Sequence, residues 1–141
     1  MPKQTNMTPK AKGELTEANV LTRLMELGYT VSTPFGENCD YDFVVDDGVE
    51  LRRVQVKTGR KEDGKVVASL SRTRVNSKGS TRVHYEEGSI DAFVVYCHET
   101  DSAYWIDADD AGTVQISIRI EPPHERHQSN PNINWAEEYR L

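Results

Sequence analysis

The chain has 141 residues, and its 17 Lys and Arg stand against 23 Asp and Glu, a net charge of −6. At 36% hydrophobic and 28% charged residues it holds apolar material for one modest core, so the expectation is a single domain over residues 1–141, with about 1–8 and 121–141 flexible or peripheral. No apolar run approaches the roughly 18 residues a membrane span needs. The opening MPKQTNMTPKAKGE has no apolar h-region, and Cys39 and Cys97 form neither a disulfide framework nor a zinc cluster. A cytoplasmic protein is expected.

The charge is segregated. Residues 1–49 carry net −4, residues 50–83 net +7 and residues 84–141 net −9. A basic middle in an acidic chain can be an anion-binding surface, although a solvated charged hairpin would read the same way.

Thr8-Pro9 predicts a helix start, with Thr8 as cap and Pro9 at the first position, where its missing N–H costs nothing. The helix should run to about Leu27 and stop at Gly28, burying Leu15, Ala18, Leu21, Leu24 and Met25. YTVSTPF reads as a short strand ended by Pro34. YDFVVDDGVELRRVQVK reads as a hairpin turning at Asp47-Gly48-Val49-Glu50. Residues 64–70 predict another strand, and residues 71–89 a polar stretch with at most one helical turn. IDAFVVYCH is the strongest apolar strand, AYWID its hairpin partner and TVQISIRI one more strand. EPPHERHQSNPNIN reads as loop, with His124 and His127 solvated, and NWAEEYRL as a last short helix capped by Asn134. A helix followed by mostly antiparallel strands makes the fold α/β or α+β.

The first hairpin carries the chemistry. With that turn, Asp46 pairs with Leu51, Val44 with Arg53 and Asp42 with Gln55. Side chains alternate with period two, so Asp42, Gln55 and Lys57 share one face near one end. Phe43, Val45, Val54 and Val56 supply core on the other. A carboxylate, an amide oxygen and the Val56 carbonyl suit a hard divalent cation such as Mg²⁺. Lys57 cannot bind a cation, but it can hold or help deprotonate an attacking water and balance phosphate charge. Those are the parts that phosphodiester hydrolysis needs. Glu14 and Glu17 both lie on or near the helix's expected buried stripe, and spacing does not choose between them as a further oxygen donor.

Lys12-Gly13-Glu14, Asp40-Tyr41-Asp42-Phe43-Val44 and Arg53-Val54-Gln55-Val56-Lys57 together resemble the PD-(D/E)xK nuclease superfamily. The nearest likeness is its small Q-x-K branch, typified by group I intron-encoded homing endonucleases. The likeness continues through Ser71-Arg72-Thr73-Arg74, Asp91-Ala92-Phe93-Val94-Val95-Tyr96 and Tyr104-Trp105-Ile106 to roughly Ile118. It implies a restriction-endonuclease-like α/β core, an N-terminal helix packed on a mixed, mostly antiparallel sheet, with the site at the end of a hairpin. Carried over by residue, it implies Glu14 as the helix-borne acid, Asp42 as the central metal-binding aspartate, Gln55 in place of the usual carboxylate, and Lys57 as the catalytic lysine.

The resemblance further implies a Mg²⁺-dependent endodeoxyribonuclease, with Mn²⁺ as an alternative ion. Its metal would be held by Asp42, Gln55, Val56 and Glu14. Its double-stranded DNA would be met by Arg53, Arg60, Arg72, Arg74, Lys78 and Arg82. Cutting both strands would need a homodimer or higher homo-oligomer. Tyr41 for Pro is a mild departure. Gln55 removes one negative charge, which keeps a catalytically weak or silent nucleic-acid-binding or protein-binding relative as the alternative.

Overall fold

Helix α1 runs from Pro9 to Glu26. The Thr8 hydroxyl accepts a hydrogen bond from the Ala11 amide at 3.2 Å, which satisfies one of the donors that a helix start leaves orphaned. At the other end Gly28 adopts φ +95°. Its amide donates to Met25 O at 3.0 Å and the Tyr29 amide to Leu24 O at 3.1 Å, so two terminal carbonyls are closed off by a turn that glycine enters without strain. The computed structural model describes residues 6–36, 38–76, 79–83, 88–123 and 133–141, with 72–76 and 79–83 described by backbone alone.

The expected buried stripe of α1 is corrected. The buried residues are Thr16, Val20 and Leu24, while Leu15 and Met25 are exposed at 42% and 60%, Ala18 is exposed and Leu21 half-buried. The burying face is rotated by about one position because Thr16, polar by type, finds polar partners inside. The change of phase moves Glu17 to the rim of the buried face and leaves Glu14 exposed.

Among the described residues nine strands follow: β1 Thr30–Ser32, β2 Phe43–Asp46, β3 Leu51–Glu62, β4 Lys65–Ser69, β5 Arg72–Asn76, β6 Gly79–Val83, β7 Ala92–Cys97, β8 Ser102–Asp107 and β9 Gln115–Arg119. Seven form one sheet along the path β1-β2-β3-β4-β9, with β7 paired to β3 and β8 to β7. All of its pairings are antiparallel except β3–β7, which is parallel. The β2–β3 register is the expected one, with Val44 opposite Arg53 and Asp46 opposite Leu51. Its turn is set by side chains: Asp46 Oδ1 accepts from the Gly48 amide, and Asp47 Oδ1 from the Val49 and Glu50 amides, each at 2.8 Å.

Strand β3 is the organiser. It pairs with β2 over Leu51–Val54, with β7 over Val54–Gly59 and with β4 over its last three residues. At Gly59 a Cβ would sit 2.7 Å from Val66 Cγ1 and 2.8 Å from Val95 Cγ1, so only glycine lets β4 and β7 approach there. Strand β7 is buried along its whole length and serves two cores. Phe93, Val95 and Cys97 pack with Val66, Tyr104, Ile106, Ile116 and Ile118. Ala92, Val94 and Tyr96 pack with Val20 and Leu24 of α1 and with Phe43, Val45, Val54 and Val56 of the first hairpin. Each fully buried side chain of this kind contributes about 1.5–3 kcal/mol.

Two further readings change. In the polar stretch after residue 70, where at most one helical turn is expected, the described residues include a separate two-stranded ribbon of β5 and β6, with Arg72 opposite Val83 and Arg74 opposite Thr81. Asn134 does not cap a helix. The last turn is a 3-10 helix, Ala136–Tyr139, entered from Trp135 without a side-chain cap. The Asn134 carbonyl instead accepts from the Arg119 amide at 2.8 Å, which pins the chain end to β9. His124 and His127 lie outside the described residues. No helix among the described residues is long and apolar enough to cross a membrane.

Candidate active site

Strand β2 begins at Phe43, so β3 runs on beyond its partner. The Asp42 amide still donates to Val54 O at 2.8 Å, and Asp42 Oδ2 accepts from the Val56 amide at 2.8 Å. A side chain thus replaces the missing strand for one hydrogen bond. In an antiparallel ladder a paired residue turns its N–H and C=O toward the same neighbour, so the Val56 carbonyl emerges on the Asp42 side of β3.

Three charged groups meet there. Glu17 from α1 donates a hydrogen bond to the Asp42 carboxylate, and its pKa is pushed from 4.5 up to about 7 by burial first, then by the Asp42 charge, this hydrogen bond and the Glu14 charge. Asp42 is also raised, by burial. The Val56 amide, the Glu17 hydrogen bond and the Lys57 charge oppose that rise. Burial pushes the Lys57 ammonium below its ordinary value, and the Asp42 charge partly restores it. The arrangement is a proton shared by two carboxyl groups beside a half-buried ammonium.

Glu17, not Glu14, is hydrogen-bonded to Asp42. Glu14 is exposed and reaches the pair only through its charge on Glu17. The signal that would have separated them is the phase of the helix, which turns on the burial of Thr16. Gln55 is half-buried on β3, opposite Phe93 in the parallel ladder, on the alternate face from Val54 and Val56 and so on the face of Lys57.

The arginines and lysine expected at DNA divide into three groups. The half-exposed Arg53 guanidinium is tied to its own chain on one edge: Nε donates to Asp91 Oδ2 at 3.0 Å, and one terminal nitrogen donates to Asp91 Oδ1 at 3.1 Å and to Gly88 O at 2.6 Å. This fork ties the start of β3 to the approach of β7. Arg60 is exposed and pairs with Glu62 at 2.9 Å. Arg72 and Arg74 lie on β5 and Arg82 on β6, whereas Lys78 lies outside the described residues.

The donor set fits a hard divalent cation. Two carboxyl groups, one of which keeps its proton through burial and the nearby Asp42 charge, offer oxygen ligands next to Val56, whose amide already bonds Asp42. Among the described residues no three His, Cys, Asp or Glu side chains cluster as ligands.

A family model described as PD-(D/E)XK endonuclease matches residues 7–141. Among solved structures the chain is similar to a bacterial homing endonuclease, I-Ssp6803I, at 26% identity and a TM-score of 0.72, over 94% of this chain and 88% of that one. No curated protein matches it.

Proposed function

Because this chain belongs to the PD-(D/E)XK endonuclease family, we propose that it cuts DNA as a Mg²⁺-dependent endodeoxyribonuclease of homing, restriction or resolvase type, with Mn²⁺ as a substitute ion. The observation that carries the reading is the Glu17–Asp42 pair beside Lys57 at the open end of β3. Asp42, Glu17, Gln55 and the Val56 carbonyl would hold the ion, with Glu14 reinforcing the negative potential from outside. A bound divalent ion supplies a Lewis acid toward the phosphate and a more acidic water.

The protein's own groups do the rest. Asp42 is locked by the Val56 amide, so its carboxylate is aimed without conformational cost. Lys57 would hold the attacking water and, as the ammonium, neutralise charge growing on the phosphate, while its lowered affinity for its proton eases proton exchange with that water. Gln55 leaves the site one charge poorer than a carboxylate would. The shared proton of Glu17 and Asp42 must leave as the ion enters, so binding should strengthen as the pH rises through about 7. The β5–β6 ribbon, carrying Arg72, Arg74 and Arg82, is the element suited to phosphates or base edges, since a two-stranded ribbon fits the major groove. A dimer would place two such sites on opposite strands.

Supercoiled plasmid with Mg²⁺ or Mn²⁺ tests the reading. Nicking is expected, and Asp42→Asn or Lys57→Ala should lower it by about 10²-fold or more. No cleavage with either ion at enzyme excess across a range of salt would reject it in favour of a silent nucleic-acid-binding relative.

A further inference from the structure

We propose that the Thr16 hydroxyl, seated between Thr58 of β3 and His98 just beyond β7, is a positioning group that fixes how α1 presents Glu17 to Asp42. The inference rests on the nuclease reading of that site. Thr16 is 1% exposed. Its Oγ1 lies 2.9 Å from Lys12 O, 2.7 Å from Thr58 Oγ1 and 2.7 Å from His98 Nε2. A hydroxyl has one proton and two lone pairs. The Lys12 carbonyl can only accept, so Thr16 donates there. Its two lone pairs are then filled by the Thr58 O–H and the His98 Nε2–H. Every hydrogen-bonding position of the hydroxyl is used, and three elements are joined at one atom.

The other buried positions of α1 are Val20 and Leu24. Apolar packing of that kind holds the helix against the sheet, but it is non-directional and resists sliding or rotation weakly. The hydrogen bonds at Thr16 are directional and stop both motions. Their place matters because Glu17 follows Thr16 and Lys57 precedes Thr58. The clamp therefore ties the backbone that carries the carboxyl group to the backbone that carries the ammonium. A valine at position 16 would fill the same space and keep the stripe apolar, so the hydroxyl is needed for placement more than for burial.

Thr16→Val tests this, with Thr16→Ser as the conservative rescue and Thr58→Val as a second disruption, on the strand side, should Thr16→Val fail to fold. Three measurements are compared with the parent: Mn²⁺ affinity of the metal-free protein by calorimetry, kcat and KM for plasmid nicking, and amide exchange at Glu17 and Ala18. Thr16→Val should weaken Mn²⁺ binding and lower kcat, each by about 10-fold or more, with KM for DNA unchanged and faster exchange at both amides. Thr16→Ser should restore all three.

Parental Mn²⁺ affinity and kcat in Thr16→Val would overturn the proposal. So would a Thr16→Ser protein as impaired as Thr16→Val, which would make packing the cause. If the parent neither binds Mn²⁺ nor nicks DNA, the nuclease reading fails separately. The clamp is then judged by exchange alone, with faster exchange in Thr16→Val supporting it and unchanged exchange overturning it.

Discussion

Glu17 holds a proton at pH values where an ordinary glutamate has lost it, because burial and the Asp42 carboxylate both disfavour its charge. The sign of the resulting pH dependence follows. A folded pKa of about 7 above an ordinary 4.5 means that the folded protein binds a proton that the unfolded chain releases. This group leaves stability unchanged below about 4.5 and lowers it as the pH rises from there to about 7. Asp42 is shifted upward as well and adds in the same direction. Metal-free protein should therefore melt at progressively lower temperature across that window, and Glu17→Gln should flatten the profile in thermal unfolding at a series of pH values. In cleavage assays Glu17→Gln should lose about 10²-fold or more, while Glu14→Gln stays near the parent rate. Gln55→Glu, which adds a carboxylate beside the same ion, should lower the Mg²⁺ concentration that gives half-maximal cleavage.

Strand β3 was legible in part. The alternation of Phe43, Val45, Val54 and Val56 and the Asp-Asp-Gly turn specify the register with β2, because a one-residue slip would turn Phe43 and Val45 away from the face that Val54 and Val56 bury. Its continuation to Glu62 was not legible, since LRRVQVKTGRKE becomes polar at the point where β4 takes over as partner. Gly59 marks that handover. Gly59→Ala should cost about 1–3 kcal/mol by overpacking against Val66 and Val95, read as a fall in the urea midpoint at unchanged slope. Helix α1 shows the reverse case. Its limits were plain from Thr8, Pro9 and Gly28, but its buried face was not. Thr16 is buried only because Thr58 and His98, 42 and 82 residues away in sequence, supply its partners.

At the scale of the whole molecule, the +7 of residues 50–83 is partly consumed by folding. Arg52 pairs with Glu50 and Asp107, Arg53 with Asp91, Arg60 with Glu62 and Lys61 with Glu121. Of the other basic residues in this segment, Arg72, Arg74 and Arg82 belong to the β5–β6 ribbon, the element proposed to meet DNA. Neutralising Arg72, Arg74 and Arg82 together should weaken DNA binding across sequences and reduce the slope of log affinity against log salt by about 1 for each phosphate that the protein ceases to neutralise. Filter binding between low and moderate salt measures it, and an unchanged slope would place the DNA-binding surface elsewhere. The sequence by itself determined the hairpin that brings Asp42, Gln55 and Lys57 to one end, because alternation and turn chemistry are local rules. It also determined the family likeness that those residues carry. Only the tertiary structure decided which glutamate reaches Asp42 and that Arg53 is committed to Asp91. The helix phase and the ion pairs both depend on partners that distant strands bring together, and no local pattern encodes that proximity.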